Sequence, residues 1–318
     1  MQRLRCAVIG SGYLGRFHAQ KYHQLPHVDL VAVCDIDKMA CQKLADELQT
    51  QAVCSHTELW GKVDAVSIAT TTKTHYAIAK ACLTQGIHVL LEKPITETLE
   101  EAQELIELAH QKNLKLQIGH LERFNPARIA IEPYLQKPQF IDSQRLSPFK
   151  PRALDVNVIL DLMIHDLDLI QTMVKSPIES IQAQGTPVLS PTIDIANARI
   201  TFKNRCVANL TASRVSFKSE RTMRIVQKNS YISLDLQQKK FVVFEKGQGE
   251  LYPGIPNFNQ KTQVFEQGDA LMAEIQAFIE CINNNTQPTV TGLEGYHALE
   301  TAINITTLIE RQLEEQLD

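Results

Sequence analysis

A glycine turn, Gly10-Ser11-Gly12-Tyr13-Leu14-Gly15, stands directly between an apolar run, Leu4–Ile9, and a helical segment, Tyr13–Leu25. A strand that must turn sharply into a helix and still leave room for a ligand's phosphates can be built in few ways. Gly10 permits the tight turn, Gly12 lets the backbone approach a pyrophosphate, and Gly15 lets helix and strand pack closely. The first turn of the helix then offers free N–H groups to the anion. Asp35 closes the next apolar run, twenty residues after Gly15, where a carboxylate binds both ribose hydroxyls. The same carboxylate repels a 2′-phosphate, and Ile36 follows it where arginine would serve NADP. These residues predict NAD.

The surrounding pattern agrees. Short unbroken apolar runs at Leu4–Ile9, Val28–Cys34, Val63–Ala69, Ile87–Leu91 and Leu114–Ile118 read as strands buried on both faces, with Ala52–Cys54 as a further short one. Helical segments such as Asp37–Leu48 and Leu99–His110 lie between them. Alternating β and α with short connections predicts a doubly wound parallel sheet. With 318 residues there is chain for two cored domains, and 44% hydrophobic and 21% charged residues give the balance of an ordinary globular protein. A net charge of −4 makes no electrostatic case for nucleic acid or an acidic membrane. Seven scattered cysteines without a CxxC pair read as reduced thiols and argue against a metal centre. With no signal-like segment or long apolar run, the expected setting is the cytoplasm.

Beyond residue 121 the character changes. Gly119–Pro126 marks the junction, so the expected domains are 1–121 and 122–318. A short helix over Asn125–Leu135, with Pro126 in its first turn, leads to a strand at Gln139–Arg145. From Ile178 to Lys246 the period becomes two, as in Ala196, Ala198, Ile200 and Phe202, which predicts an antiparallel sheet with one half-buried face. Helices over Ala270–Asn283 and Leu293–Glu314 finish the chain. Between junction and sheet lies Asp155–Lys175, a mostly apolar helix on which Asn157, Asp161, His165, Asp168 and Thr172 share one stripe. Alone, that stripe reads first as a core histidine satisfied by a carboxylate partner, and only second as a site.

Three stretches decide between these readings: Ile68 to His75 (IATTTKTH), Glu92-Lys93-Pro94, and Asp161-Leu162-Met163-Ile164-His165. With the glycine turn they resemble the glucose–fructose oxidoreductase/inositol dehydrogenase/MocA (Gfo/Idh/MocA) family over essentially the whole chain. Thr71-Thr72-Lys73 departs from the Thr-Pro-Asn that many members carry before the histidine. The resemblance implies an α/β protein: an N-terminal Rossmann domain, then an α/β domain with a large, open, mainly antiparallel sheet. It implies that Lys93, Asp161 and His165 are catalytic. A carbinol carbon gives up hydride only if its hydroxyl proton has a base to go to, a role for His165, with Asp161 orienting the ring and Lys93 on the reacting oxygen. Cofactor contacts are expected from Gly10, Ser11, Gly12, Tyr13, Leu14, Gly15, Asp35 and Ile36, and from Thr70, Thr71, His75, Glu92 and Lys93 at strand ends. Whether Pro94 follows a cis bond stays open.

The junction IGHLERFNPA and the downstream MIHDLDLI are similar to the branch of the family that oxidises the 3-hydroxyl of UDP-N-acetylglucosamine. That branch implies a partner aminotransferase and a 2,3-diamino sugar of the kind used in lipid A. A diphosphate calls for arginine forks; Arg123, Arg128, Arg152, Arg214 and Arg221 are candidates, with Arg123 foremost, and Arg123, Arg152 and Asn157 are the expected substrate contacts. Oxidation of a free sugar or polyol of the inositol type is the alternative, and a non-catalytic NAD-binding regulator the alternative of another class. Relatives pair through the open sheet face, which implies a homodimer or homotetramer.

Overall fold

The structure, a computed structural model, describes residues 3–150 and 156–315. The chain divides into two compact units: residues 1–121 with 269–297, and residues 122–268 with 298–318. The expected single cut after residue 121 therefore needs correcting, because 269–297 returns to the first unit.

In the first unit, strands β1 (Leu4–Ile9), β2 (Val28–Cys34), β3 (Gln51–Val53), β4 (Ala65–Ile68), β5 (His88–Glu92) and β6 (Leu116–Gly119) form a sheet of order β3-β2-β1-β4-β5-β6. Every neighbouring pair is parallel. Helices α1 (Tyr13–Gln24), α2 (Lys38–Leu48), α3 (Thr72–Thr84) and α4 (Leu99–Gln111) make the crossovers. Their starts are written locally. Asp37 accepts the Met39 and Ala40 amides, and Thr98 with Glu101 forms a capping box. The strand order reverses between β1 and β4, the switch point at which open α/β sheets bind ligands beyond their carboxyl ends.

In the second unit eight strands, β7 (Pro138–Leu146), β8 (Ile178–Thr186), β9 (Ile195–Phe202), β10 (Val207–Ser213), β11 (Glu220–Gln227), β12 (Ser230–Asp235), β13 (Lys240–Tyr252) and β14 (Ile255–Val264), run in the order β14-β13-β12-β11-β7-β10-β9-β8. All pairs are antiparallel except β7 with β10. The expected short helix stops early. Asn125 caps α5 (Pro126–Ala130), after which Pro133, unable to donate an amide hydrogen, sits in a separate 3₁₀ turn. The polar-striped segment is not one α-helix either: Ile159–Met163 forms a turn of π-helix, and α6 (Ile164–Val174) follows. Its apolar side, Met163, Ile164, Leu167 and Ile170, lies in one buried cluster with Ala198, Ile200, Leu210 and Ala212 of the sheet.

Helix α7 (Ala270–Asn283) explains the two-part first unit. Ile275, Phe278 and Ile279 lie in one cluster with Val8, Ala19, Tyr22 and Leu90. Helix α8 (Gly292–Glu315) then crosses the division: its first residues, through His297, belong to the first unit, while Ala298, Ala302, Ile305 and Ile309 join the core of the second. Among the described residues no helix is long and apolar enough to cross a membrane.

Candidate active site

The residues of the glycine turn fit a dinucleotide. Gly10 has φ +102°, and a Cβ there would lie 2.4 Å from the Ala69 carbonyl oxygen, so the turn after β1 is pressed against the end of β4. A Cβ on Gly15 would lie 1.8 Å from the Gly10 oxygen. Around Gly12, at the start of α1, a Cβ would meet nothing within 4 Å, which leaves room for an anion at the amide-rich helix end. The Ser11 amide and hydroxyl donate to Asp35 Oδ2 at 2.6 and 2.8 Å, and the Asp37 amide to Oδ1 at 2.9 Å. Partial burial alone would raise the pKa of Asp35, but these donors outweigh it and hold the carboxyl below its ordinary value. Asp35 is thus a fixed anion at the end of β2. Beside it Ile36 is 92% exposed, and Tyr13, 72% exposed, meets the Phe17 ring edge-on at 5.1 Å. Leu14 is also exposed. Replacing Asp35 by serine removes a charged acceptor, whose hydrogen bonds contribute about 1.5–3 kcal/mol. NAD binding is expected to weaken by roughly 10- to 100-fold, and NADP binding, no longer repelled, to gain relative to it. Fluorescence titration of both dinucleotides measures this, and an unchanged NAD/NADP ratio would discard the assigned role.

The other strand ends behave less simply. Thr70 lies in the turn after β4; Thr71 is the N-cap of α3, so Thr72 to His75 are helical rather than strand-end residues. His75 is buried and brackets two turns: Nδ1 lies 2.8 Å from the Pro94 carbonyl oxygen and Nε2 3.3 Å from that of Thr70. Burial lowers its pKa, so the ring is neutral and its proton belongs on Nδ1, the closer contact. The ring thereby ties α3 to the Pro94 turn, while the unprotonated Nε2 only faces the Thr70 oxygen. Glu92 also turns inward, with Oε1 3.0 Å from His18 Nε2 and Oε2 accepting the Lys93 amide at 3.3 Å. The Lys93-Pro94 bond is cis. His18, Ser67, Tyr22 and Glu274 around Glu92 went unread in the sequence. The helical position of His18, three residues after Gly15, was the one available signal.

In the second unit Asp161 and His165 are half-buried, Asp161 within the π-helical turn and His165 in the first turn of α6. π-Turns inside helices occur frequently at functional sites. Asn157 spends its Oδ1 on the Ile159 and Leu160 amides at the helix start and donates through Nδ2 to Thr306 Oγ1 at 3.2 Å. At the far end of the stripe Thr172 Oγ1 donates to the Asp168 carbonyl at 2.7 Å.

Arg123 forks onto Asp168 through Nε at 2.6 Å and a terminal nitrogen at 2.9 Å, both side chains buried. Arg128 pairs with Glu132 at 2.6 Å, and Arg221 reaches Glu122 at 3.3 Å. Arg214 joins Asp194, Ser190, Thr192 and the Val156 carbonyl. The expected solvated or phosphate-seeking arginines are thus largely engaged within the unit. Arg152 lies outside the described residues.

Comparison with known proteins agrees with this geometry. Residues 4–120 match the oxidoreductase family, NAD-binding Rossmann fold, and residues 136–233 match the GFO/IDH/MocA C-terminal domain. The UDP-N-acetylglucosamine 3-dehydrogenase of Acidithiobacillus ferrooxidans is 38% identical over 315 residues, covering 99% of this chain and 100% of that one. Its crystal structure superposes with a TM-score of 0.91 over 98% of this chain and 99% of that chain. The NAD-dependent scyllo-inositol 2-dehydrogenase of Bacillus subtilis is 25% identical over 343 residues, covering 99% and 97% of the two chains. A glycine turn that fits a pyrophosphate, a fixed carboxylate at the end of β2 and two matched domains lead to one conclusion: this chain belongs to the Gfo/Idh/MocA family of NAD-dependent oxidoreductases.

Proposed function

We propose that the protein oxidises the 3-hydroxyl of UDP-N-acetylglucosamine to the 3-keto sugar nucleotide. The observation that carries this is similarity along both whole chains to the A. ferrooxidans enzyme, 38% against 25% for the inositol dehydrogenase. In this reading Gly10 to Gly15 and Asp35 hold NAD, which when bound accepts the hydride. His165 takes the hydroxyl proton, and Asp161 orients the imidazole and favours its cationic form. Lys93 donates a hydrogen bond to the reacting oxygen. Of the expected substrate contacts, Arg152 stays one of the arginine candidates for the diphosphate. Arg123 and Asn157 bear on substrate through the helix that they brace, since their polar groups are engaged by Asp168 and by the helix start.

The product ketone suits an aminotransferase that installs a 3-amino group, the chemistry of a 2,3-diamino sugar for lipid A. The reading places the enzyme in the cytoplasm as a homodimer or homotetramer. A panel of UDP-sugars and free polyols, followed by NADH absorbance, tests it. Alcohol oxidation by NAD is unfavourable at neutral pH, so the assay includes an aminotransferase or a carbonyl trap. Turnover is expected with UDP-N-acetylglucosamine and not with inositols; the reverse result would move the protein to the polyol branch.

A further inference from the structure

Behind the Lys93 turn the first unit buries two carboxyl groups and one imidazole together. A ring nitrogen of His18 and one oxygen each of Glu92 and Glu274 lie within 4.8 Å of one another. They come from α1, the end of β5 and α7. The partners are unequal. Glu92 faces His18 Nε2 at 3.0 Å and accepts the Lys93 amide. His18 Nδ1 lies 3.1 Å from Ser67 Oγ, which in turn meets the Tyr22 hydroxyl at 2.8 Å. Neither oxygen of Glu274, a fully buried residue, has a hydrogen-bond partner among the described residues. Gln117 on β6 donates to the Glu274 carbonyl at 3.1 Å, yet its own Oε1 is buried without a donor. The pocket is therefore rich in acceptors and short of one hydrogen.

Charge decides where that hydrogen belongs. Two carboxylates side by side out of water repel one another, and burying one without a donor is costly. Glu92 has the donors that stabilise an anion and Glu274 has none, so the proton goes to Glu274. Gly119, paired with Glu92 across the sheet, makes the space: a Cβ there would come within 3.0 Å of the Glu92 carboxyl.

We propose that Glu274 is a positioning residue that stays un-ionised, closes the His18–Glu92 pair without adding a second buried carboxylate, and thereby fixes the Glu92 carboxylate that carries the Lys93 amide. The titration behaviour is consistent with this. Burial, with the Glu92 charge beside it, holds the Glu274 pKa well above the ordinary carboxylate value. For Glu92 the opposing effect of burial is outweighed by the His18 hydrogen bond and charge, and its pKa is lowered. The step from this cluster to turnover rests on the proposed role of Lys93; the protonation of Glu274 does not.

The full-length protein tests both parts. Infrared difference spectra at neutral pH should contain the carbonyl stretch of an un-ionised carboxyl that is lost in Glu274→Gln. Glu274→Ala should lower kcat by about tenfold or more, as small displacements of a reacting group do, with the dissociation constant of NAD unchanged. Glu274→Gln, also neutral and of the same shape, should recover most of that loss. Absence of the stretch, or metal analysis finding one equivalent of a divalent ion removed by Glu274→Gln, would overturn the proposal. So would equal losses of kcat in the alanine and glutamine variants. A retained stretch in a protein whose turnover ignores Lys93→Ala would remove the catalytic reading of Lys93 and leave the neutral Glu274 standing.

Discussion

Replacing His165 by alanine is expected to lower turnover by about a thousandfold, within the 10²–10⁴ that a positioned general base contributes, and to leave NAD affinity unchanged. The two effects separate because the glycine turn and Asp35 belong to the first unit, whereas His165 lies on α6 in the second. Alanine leaves the helix intact, since its helix propensity exceeds that of histidine. Lys93→Ala should behave similarly, and the double variant should lose little more than either single one, because groups acting on one proton and one oxygen do not contribute additively. Single-turnover rates with saturating NAD, alongside NAD titrations of each variant, give the comparison. If affinity and rate fall together by the same factor, His165 is structural and its helix is the satisfied core element that its apolar neighbours alone suggest.

Much of this was legible because local physics repeats itself in sequence. The glycine turn reads correctly because a strand, a tight turn and a helix must each carry their own residues. Ala196, Ala198, Ile200 and Phe202 betray a strand because one face of β9 is buried and the other is not. The hairpin of β13 and β14 beyond Lys246 is illegible for the converse reason: almost all of it is exposed, so no alternation is imposed. Helix α7 announces an apolar face in Ile275, Phe278 and Ile279, but nothing in that face says which sheet it covers. The π-helical turn at Ile159–Met163 is hidden as well, since its apolar residues suit either helix. Charged partners are the hardest to read. Arg123 with Asp168, 45 residues apart, and His18 with Glu92, 74 apart, meet only after folding.

Arg145→Met offers the sharpest test of how that charge supports the site's second half. Arg145, on β7, donates to Asp166 on α6 through Nε at 3.1 Å and a terminal nitrogen at 2.7 Å, and to Glu122 at 3.0 Å. All three residues are buried. Methionine fills much the same volume but strands two carboxylates, with Arg221, half-exposed, as the remaining cation on Glu122. Breaking a buried pair in this way costs about 3–5 kcal/mol, so the urea midpoint of the second unit should fall steeply. NAD affinity, a property of the first unit, should persist at low denaturant. Because the damage is unpaired charge rather than lost volume, adding Asp166→Asn and Glu122→Gln to Arg145→Met should restore much of the stability. Acidification, which neutralises the stranded carboxylates, should likewise narrow the gap to wild type. An Arg145→Met midpoint equal to that of wild type would mean that the arginine contributes no net stability. The placement of His165 would then have to come from the apolar packing of Ile164, Leu167 and Ile170 alone.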